Sequence, residues 1–157
     1  MSLRRSGLLL AGLLWLGGAG ADGPWIVVDG SENGEAVTTM ARQRAPDDAM
    51  RSRFPMELTI EWRYGMEHRG MPSAEMLQDM YALEDAFEKA LEEKGLAILA
   101  LARTGNGMRR WTYYAASNPG VVAAAQKAAK AHKAPAKVSI RRDAQWTALR
   151  DIHARRR

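Results

Sequence analysis

Apolar and polar residues alternate with a period of two along residues 56–64. One side carries apolar and aromatic residues, namely Met56, Leu58, Ile60, Trp62 and Tyr64. The other side carries Glu57, Thr59, Glu61 and Arg63. Because successive side chains of a strand point to opposite faces, this pattern predicts a β-strand with one buried side and one polar side. Residues 137–142 alternate in the same way and predict a second strand of this kind.

Two hairpins are predicted from turn signals between strand-like runs. In residues 96–114, an apolar run meets Thr104-Gly105-Asn106-Gly107 and then an aromatic-rich run. Asn-Gly between β-prone segments is a strong hairpin signal, because a tight turn needs backbone angles that Gly and Asn reach at low cost. Residues 25–29 and 35–44 flank the turn cluster Gly30–Gly34 and predict a hairpin near the start of the domain.

Two amphipathic helices are predicted between these strands. Ser73 is a good N-cap for a helix that runs to about Lys94 and stops at Gly95. Its apolar residues recur at steps of three and four, a stripe that packs on a sheet: Met76, Met80, Leu83, Phe87, Ala90 and Leu91. Glu84 and Asp85 are predicted on its solvent side. Asn118-Pro119 starts the second helix, which is alanine-rich over 121–132.

The order of elements after Phe54 is strand, helix, strand, strand, helix, strand. This order predicts an α+β fold, a ferredoxin-like β-α-β-β-α-β sandwich with an added N-terminal β-hairpin. Both helices are expected on one face of an antiparallel sheet, which leaves the reverse face free. The strand 56–64 is expected to be central, beside 108–114. The domain is predicted to cover 22–152, and 153–157 to form a basic tail.

The first 21 residues have the pattern of an export signal. Arg4 and Arg5 precede the apolar run Leu8–Leu16, and Ala19-Gly20-Ala21 gives a cleavage site after Ala21. The apolar run is shorter than the roughly 20 residues that a membrane-spanning helix needs. The sequence therefore predicts a periplasmic or secreted protein, exported by the Sec or the twin-arginine route. A retained N-terminal anchor is the alternative.

Composition and charge narrow the chemistry. Hydrophobic residues make up 46% and charged residues 26% of the 157, which is typical of a globular protein. The chain has no cysteine, which excludes disulfides, thiolate catalysis and cysteine zinc sites. Its three histidines are far apart and form no metal-binding motif. We therefore predict no metal and no cofactor. The net charge of +5 combines an acidic helix over 75–94 with a basic stretch over 126–157.

Several phrases together resemble the domain of unknown function 695 family, over about Trp25 to Ile152. They are WRYG…GMPS, the helix phrase LEDAFEKAL, the hairpin TGNGMRRWTYY, and the D-x-x-W at Asp143 to Trp146. Members of that family often have Asp-Pro-x-Trp near the end, where this chain has Ala144. The resemblance implies no established activity and no catalytic residues.

The face away from the helices is the predicted functional surface. It should display the polar side of 56–64, with Ser139 and Arg141 nearby. The neighbouring strand contributes either Arg109, Trp111 and Tyr113 or Arg110, Thr112 and Tyr114. We favour the first set, because aromatic residues with arginine are typical of binding hot spots. The predicted binding residues are Glu61, Arg63, Asn106, Arg109, Trp111, Tyr113 and Arg141.

Three classes of function fit this surface. The favoured one is a non-catalytic module that binds a protein or a small ligand. A hydrolase-like enzyme with Glu61 or His68 near the glycine loop is the alternative. The sequence shows no recognisable combination of a nucleophile, a general base and a residue that orients the base. Nucleic-acid binding, with Trp111 and Tyr113 stacking on bases, is the third and is disfavoured by the export signal.

Overall fold

The computed structural model describes residues 25–156, which contain six β-strands in one sheet and four α-helices. The predicted export signal lies outside these residues. The strands are β1 (Trp25–Glu32), β2 (Glu35–Arg42), β3 (Met56–Arg63), β4 (Ala97–Gly105), β5 (Met108–Ala115) and β6 (Ala136–Arg142). Their spatial order is β1-β2-β4-β5-β3-β6, and every neighbouring pair is antiparallel. The α+β class is confirmed, as is the central place of β3 beside β5.

The helices are α1 (Asp48–Arg53), α2 (Ala74–Phe87), α3 (Gly120–Ala131) and α4 (Thr147–Ala154). A π-helical turn, Glu88–Glu92, continues α2, and a short 3-10 turn spans Glu67–Gly70. The helix start predicted at Ser73 is confirmed, and the second helix begins at Gly120, one residue after the predicted Pro119. Ser73 Oγ accepts a hydrogen bond from the Met76 amide at 3.1 Å, and Asn118 Oδ1 accepts one from the Gly120 amide at 2.8 Å.

One face of the sheet, the helix face, is covered by α2 and α3. Leu58 and Ile60 of β3 are fully buried there, as the alternation predicted. The apolar stripe of α2 and the small residues of α3 pack on the same side, with Met80, Leu83, Phe87, Val121 and Ala125 at no exposure. The alanines of α3 let its backbone approach the sheet closely, so the helix face is a closed hydrophobic core.

The reverse side, the open face, is covered at one end by α4. Trp146 and Leu149 pack there against Tyr114, Leu101 and Ile26, in a second and smaller core. The expectation that this whole face is free is therefore wrong. Helix α4 therefore covers part of the apolar strand β4, at Ala100 and Leu101. The rest of the open face carries mostly polar side chains, with a few apolar ones on β1 and β2.

The tip of the β4–β5 hairpin fits closely against two other segments. The Gly107 amide donates to Gly70 O at 2.9 Å, and the Tyr64 amide donates to Gly107 O at 2.9 Å. Gly105 lies against β2, and a Cβ built on it would lie 2.3 Å from Ala36 O. Its φ of +132° is also one that side-chain-bearing residues rarely adopt. These glycines therefore join the hairpin tip to the loop after β3 and to β2.

We expect Gly105→Ala to lower the free energy of unfolding by about 2 kcal/mol, because it adds both backbone strain and a steric overlap with β2. Urea unfolding followed by circular dichroism measures the change. Gly30→Ala is the matched control, since a Cβ there meets nothing within 4 Å. Equal stability of the two variants would contradict the close fit at Gly105.

Candidate functional site

Strand β5 presents the opposite set of residues from the one that we favoured. Trp111 and Tyr113 are 0% and 1% exposed, and they pack on the helix face. The Phe87 ring of α2 meets the Trp111 ring edge-on, with centroids 5.7 Å apart. The prediction that these aromatic residues face outward is wrong. Strand β3 explains the result, because its buried Ile60 pairs directly with Trp111 and side chains opposite each other share a face.

Arg109 belongs to the same buried layer and forms a charged cluster under α2. Its guanidinium donates to Glu84 through Nη2 and to Thr104 Oγ1 at 2.6 Å through Nη1. Trp111 Nε1 donates to Glu84 Oε1 at 2.5 Å. The Glu84 and Arg109 side chains are only 14% and 7% exposed. Glu84 is therefore a structural acid inside the protein, and its predicted place on the solvent side is wrong.

The open face carries a groove of about 660 Å³. Its floor is formed by outward residues of five strands, among them Thr39, Glu57, Thr59, Glu61, Leu101 and Thr112. The end of β1 forms one wall, and α4 forms another with Ala148, Asp151, Ile152 and Arg155. The groove is polar and shallow at its centre, with an apolar strip beside it at Val28, Val37 and Leu101.

A row of hydroxyl groups crosses the centre of the groove. Thr59 of β3 is paired with Ser139 of β6 on one side and with Thr112 of β5 on the other. Since directly paired residues of antiparallel strands point to the same face, the three hydroxyls lie side by side. Each can donate one hydrogen bond and accept others. The row can therefore hold a ligand that carries polar groups.

Ion pairs flank this row. On one side, Arg141 donates to both carboxylate oxygens of Glu57 at 3.0 Å. Glu57 is buried, and its hydrogen bonds and charge raise the pKa of Arg141. On the other side, Arg110 donates to Glu61 Oε1 through Nε at 2.9 Å and Nη2 at 2.5 Å. Both acids are thus engaged by arginine and are held in place.

The remaining predicted site residues lie at the margins. Arg63 contacts Glu61 at 3.4 Å and its side chain is 73% exposed. Asn106, at the tip of the β4–β5 hairpin, donates from Nδ2 to Glu32 at 3.2 Å. His68 is exposed in the loop after β3 and does not line the groove, whereas Glu61 does. The two groups of the enzyme hypothesis therefore do not share this site.

The groove residues that the predicted set did not include contain three charged ones that meet at one end, namely Arg103, Arg110 and Glu32. Arg103 of β4 pairs directly with Arg110 of β5. The Asn106-Gly107 turn sets this register, because a two-residue turn places Gly105 opposite Met108 and each earlier residue opposite a later one. The pairing of Arg103 with Arg110 could therefore be derived from the hairpin signal in the sequence. Placing that pair in the groove also required knowing which face of β5 is outward.

The connection from β6 to α4 holds in place the helix that covers one end of the open face. Asp143 accepts hydrogen bonds from the Thr147 amide at 2.8 Å, from Thr147 Oγ1 at 2.9 Å and from Tyr114 OH at 2.9 Å. Partial burial opposes ionisation of this carboxyl, but these hydrogen bonds prevail and lower its pKa. The Trp146 ring stacks on the Tyr114 ring with centroids 4.2 Å apart, and its Nε1 donates to Phe54 O at 3.0 Å.

Comparison with protein families shows to which family the chain belongs. The model of a family of unknown function, DUF695, matches residues 24–152. The chain belongs to this family. No curated protein and no solved structure matches it.

The phrases that resemble DUF695 have structural roles in this member. WRYG…GMPS and TGNG form the close fit between the loop after β3 and the hairpin tip. LEDAFEKAL supplies the buried face of α2, with Leu83, Phe87 and Leu91. The D-x-x-W phrase anchors α4. Its turn forms without proline at Ala144, since the Trp146 amide donates to Asp143 O at 3.2 Å.

Within residues 25–156, no three acidic, histidine or cysteine side chains are grouped as a metal site requires. No helix in the same range has both the length and the apolar character needed to cross a bilayer.

Proposed function

We propose that this DUF695 domain is a non-catalytic binding module that takes a small ligand in the open-face groove. The observation that carries the proposal is the groove itself, about 660 Å³ in volume and lined by hydroxyl groups and arginine–carboxylate pairs. Small-molecule sites are clefts of about 300–1,000 Å³, usually mostly apolar, in which a few placed polar groups orient the ligand. This groove has a volume in that range and a more polar lining, which suits a polar ligand. The polar groups here come from neighbouring strands of one sheet, so their positions are set by the sheet register.

A small ligand is favoured over a protein partner or a nucleic acid. Both of those ideas depended on Trp111 and Tyr113 at the surface, and both side chains are buried. The hydrolase-like alternative gains no support, because Glu61 is held by Arg110 and His68 lies outside the groove lining.

We propose further that residues 56–142 form a ferredoxin-like unit, to which β1 and β2 add two edge strands. The spatial order β4-β5-β3-β6, antiparallel throughout, supports this assignment. The connections support it too, since α2 joins β3 to β4 and α3 joins β5 to β6.

We also propose that the chain is exported and works in the periplasm or outside the cell. The support is the arginine pair, the short apolar run and the Ala19-Gly20-Ala21 site. Mass spectrometry of the protein from a periplasmic fraction should find Asp22 as the first residue. Full-length chain confined to the cytoplasm would exclude export, and full-length chain in the membrane fraction would favour the retained anchor.

The groove is tested with a variant that blocks it without touching the core. We expect NMR screening of sugars, alcohols, amines and organic acids to find compounds that shift the amides of Thr59 and Thr112. Ser139→Trp should abolish these shifts, because Ser139 is exposed on edge strand β6 beside the hydroxyl row. Ser117→Trp, at an exposed position outside the groove, is the matched control. Binding that survives Ser139→Trp, or a screen with no shifts at these amides, would contradict the proposal.

A further inference from the structure

Two arginines lie directly opposite each other on the groove side of the β4–β5 hairpin. Arg103 pairs with Arg110, and both line the groove. Like charges at directly opposed positions of two strands destabilise the pair unless counter-charges are close. Each arginine has one counter-charge here. Arg110 is paired with Glu61, and Arg103 is paired with Glu32.

The two counter-charges are held very differently. Glu61 extends from central strand β3 and its side chain is 18% exposed. Glu32 is the last residue of β1, beside the Asn33-Gly34 turn, and its side chain is 55% exposed. Arg103 itself is only 16% exposed. A mostly buried cation thus depends on a carboxylate at a solvent-exposed hairpin tip, which another carboxylate can replace without leaving the cation unpaired.

The contact with Glu32 leaves part of the Arg103 guanidinium unused. Nη2 donates to Glu32 Oε2, while the buried Nη1 has no hydrogen-bond partner among residues 25–156. Arginine and a carboxylate make their strongest contact through two parallel hydrogen bonds. Glu32 is tethered by the hairpin backbone. An untethered carboxylate can move along the guanidinium edge and accept from both nitrogens. Asn106 Nδ2, which now donates to Glu32 at 3.2 Å, supplies a further donor.

We propose that the groove binds a ligand with a single carboxylate, which replaces Glu32 on Arg103 and Asn106. This inference rests on the proposed ligand-binding function and names its ligand class. The hydroxyl row of Thr112, Thr59 and Ser139 lies two residues along the strands from the Arg103–Arg110 pair, on the same face, and binds polar groups on the rest of the ligand. Glu32 neutralises Arg103 while the groove is empty, and the ligand carboxylate takes over that role when it binds.

Charge selects a carboxylate over a phosphate. Arg103 is paired with one carboxylate, Glu32, so exchange of Glu32 for a single ligand carboxylate keeps the Arg103 charge neutralised. A phosphate dianion brings an extra negative charge toward Asp29 and the displaced Glu32, which both line the groove. Repulsion in such a partly desolvated site is stronger than in water. A hydroxylated monocarboxylate therefore fits best.

The test uses D-gluconate, its neutral counterpart D-sorbitol, and inorganic phosphate, titrated into the protein and followed by amide NMR shifts. Gluconate should shift Arg103 and Thr112 saturably. Glu32→Gln should tighten gluconate binding about tenfold, since it removes a competing charged hydrogen bond worth about 1.4 kcal/mol. Glu35→Gln is the matched control. Glu35 pairs with Glu32 across the same hairpin, but it bonds Arg69 and does not line the groove.

Arg103→Gln should weaken gluconate binding at least tenfold, with Arg103→Lys in between. The inference is overturned if gluconate does not shift the groove amides of the Glu32→Gln variant, if phosphate binds more tightly than gluconate, or if Glu32→Gln and Glu35→Gln behave alike. If sorbitol or another neutral compound binds the groove as well as gluconate, the carboxylate inference fails and the proposed function stands. If no compound of the wider screen reaches the groove, both fail.

Discussion

Trp111→Ala should destabilise the protein by about 3–5 kcal/mol, the range for removing a large aromatic side chain from a core. The indole is fully buried between β5 and α2, in edge-on contact with Phe87. Its removal leaves a cavity that the surrounding sheet and helix cannot fill. It also takes away the donor that Nε1 provides to Glu84 at 2.5 Å. Urea unfolding followed by circular dichroism gives the loss.

Two further variants separate the parts of this effect. Trp111→Phe keeps an aromatic ring and loses the hydrogen bond, so we expect a smaller loss of about 1–2 kcal/mol. Met66→Ala removes a large apolar side chain that is 52% exposed, and it should change stability by about 0.5 kcal/mol or less. If Trp111→Ala unfolds like the parent protein and only loses a partner, Trp111 faces outward and the fold described here is wrong.

Glu84→Gln is expected to lower the free energy of unfolding by about 3 kcal/mol, because it leaves the buried Arg109 cation without its counter-charge. The amide keeps the shape of the carboxylate, so packing changes little. Thr104 Oγ1 remains as an acceptor for Arg109 at 2.6 Å, but a hydroxyl does not neutralise a guanidinium. The measurement is again the midpoint and slope of urea unfolding.

The neighbour in sequence provides the control. Asp85 lies on the exposed side of the same helix, and Asp85→Asn should leave stability within about 0.5 kcal/mol of the parent. A double variant tests the mechanism. Glu84→Leu with Arg109→Met replaces the ion pair by apolar side chains of similar size, and it should recover most of the stability that Glu84→Gln loses. A double variant that is as unstable as Glu84→Gln would argue against an unpaired buried charge as the cause.

Local patterns were sufficient for most of the fold. The Asn106-Gly107 turn, the Ser73 cap and the alternation over 56–64 each correspond to the element that they predicted. These signals depend on short-range physics, such as backbone angles, capping hydrogen bonds and the period of side chains along an element. Membership of DUF695 was also readable from the phrases in the chain.

The candidate site was only half predictable. Glu61 and Arg141 line the groove as the alternation of their strands indicated, and Asn106 lies at its margin. Arg109, Trp111 and Tyr113 do not, because both faces of β5 carry arginine and aromatic residues and its own sequence does not say which face is buried. Similarly, the position of Glu84 along α2 does not show that Arg109 of the sheet lies beneath it.

The sequence by itself determined the six strands, the two longer helices, their order and the hairpin turns, since each is encoded within a few neighbouring residues. Tertiary structure alone decided which face of β5 is covered, how far α4 extends over the open face, and that Arg103, Arg110 and Glu32 meet. Those outcomes depend on the pairing of β5 with β3 and on the docking of Trp146 against Tyr114. Such contacts join residues far apart in the chain, and their energies are set by packing and by charge compensation rather than by local propensity.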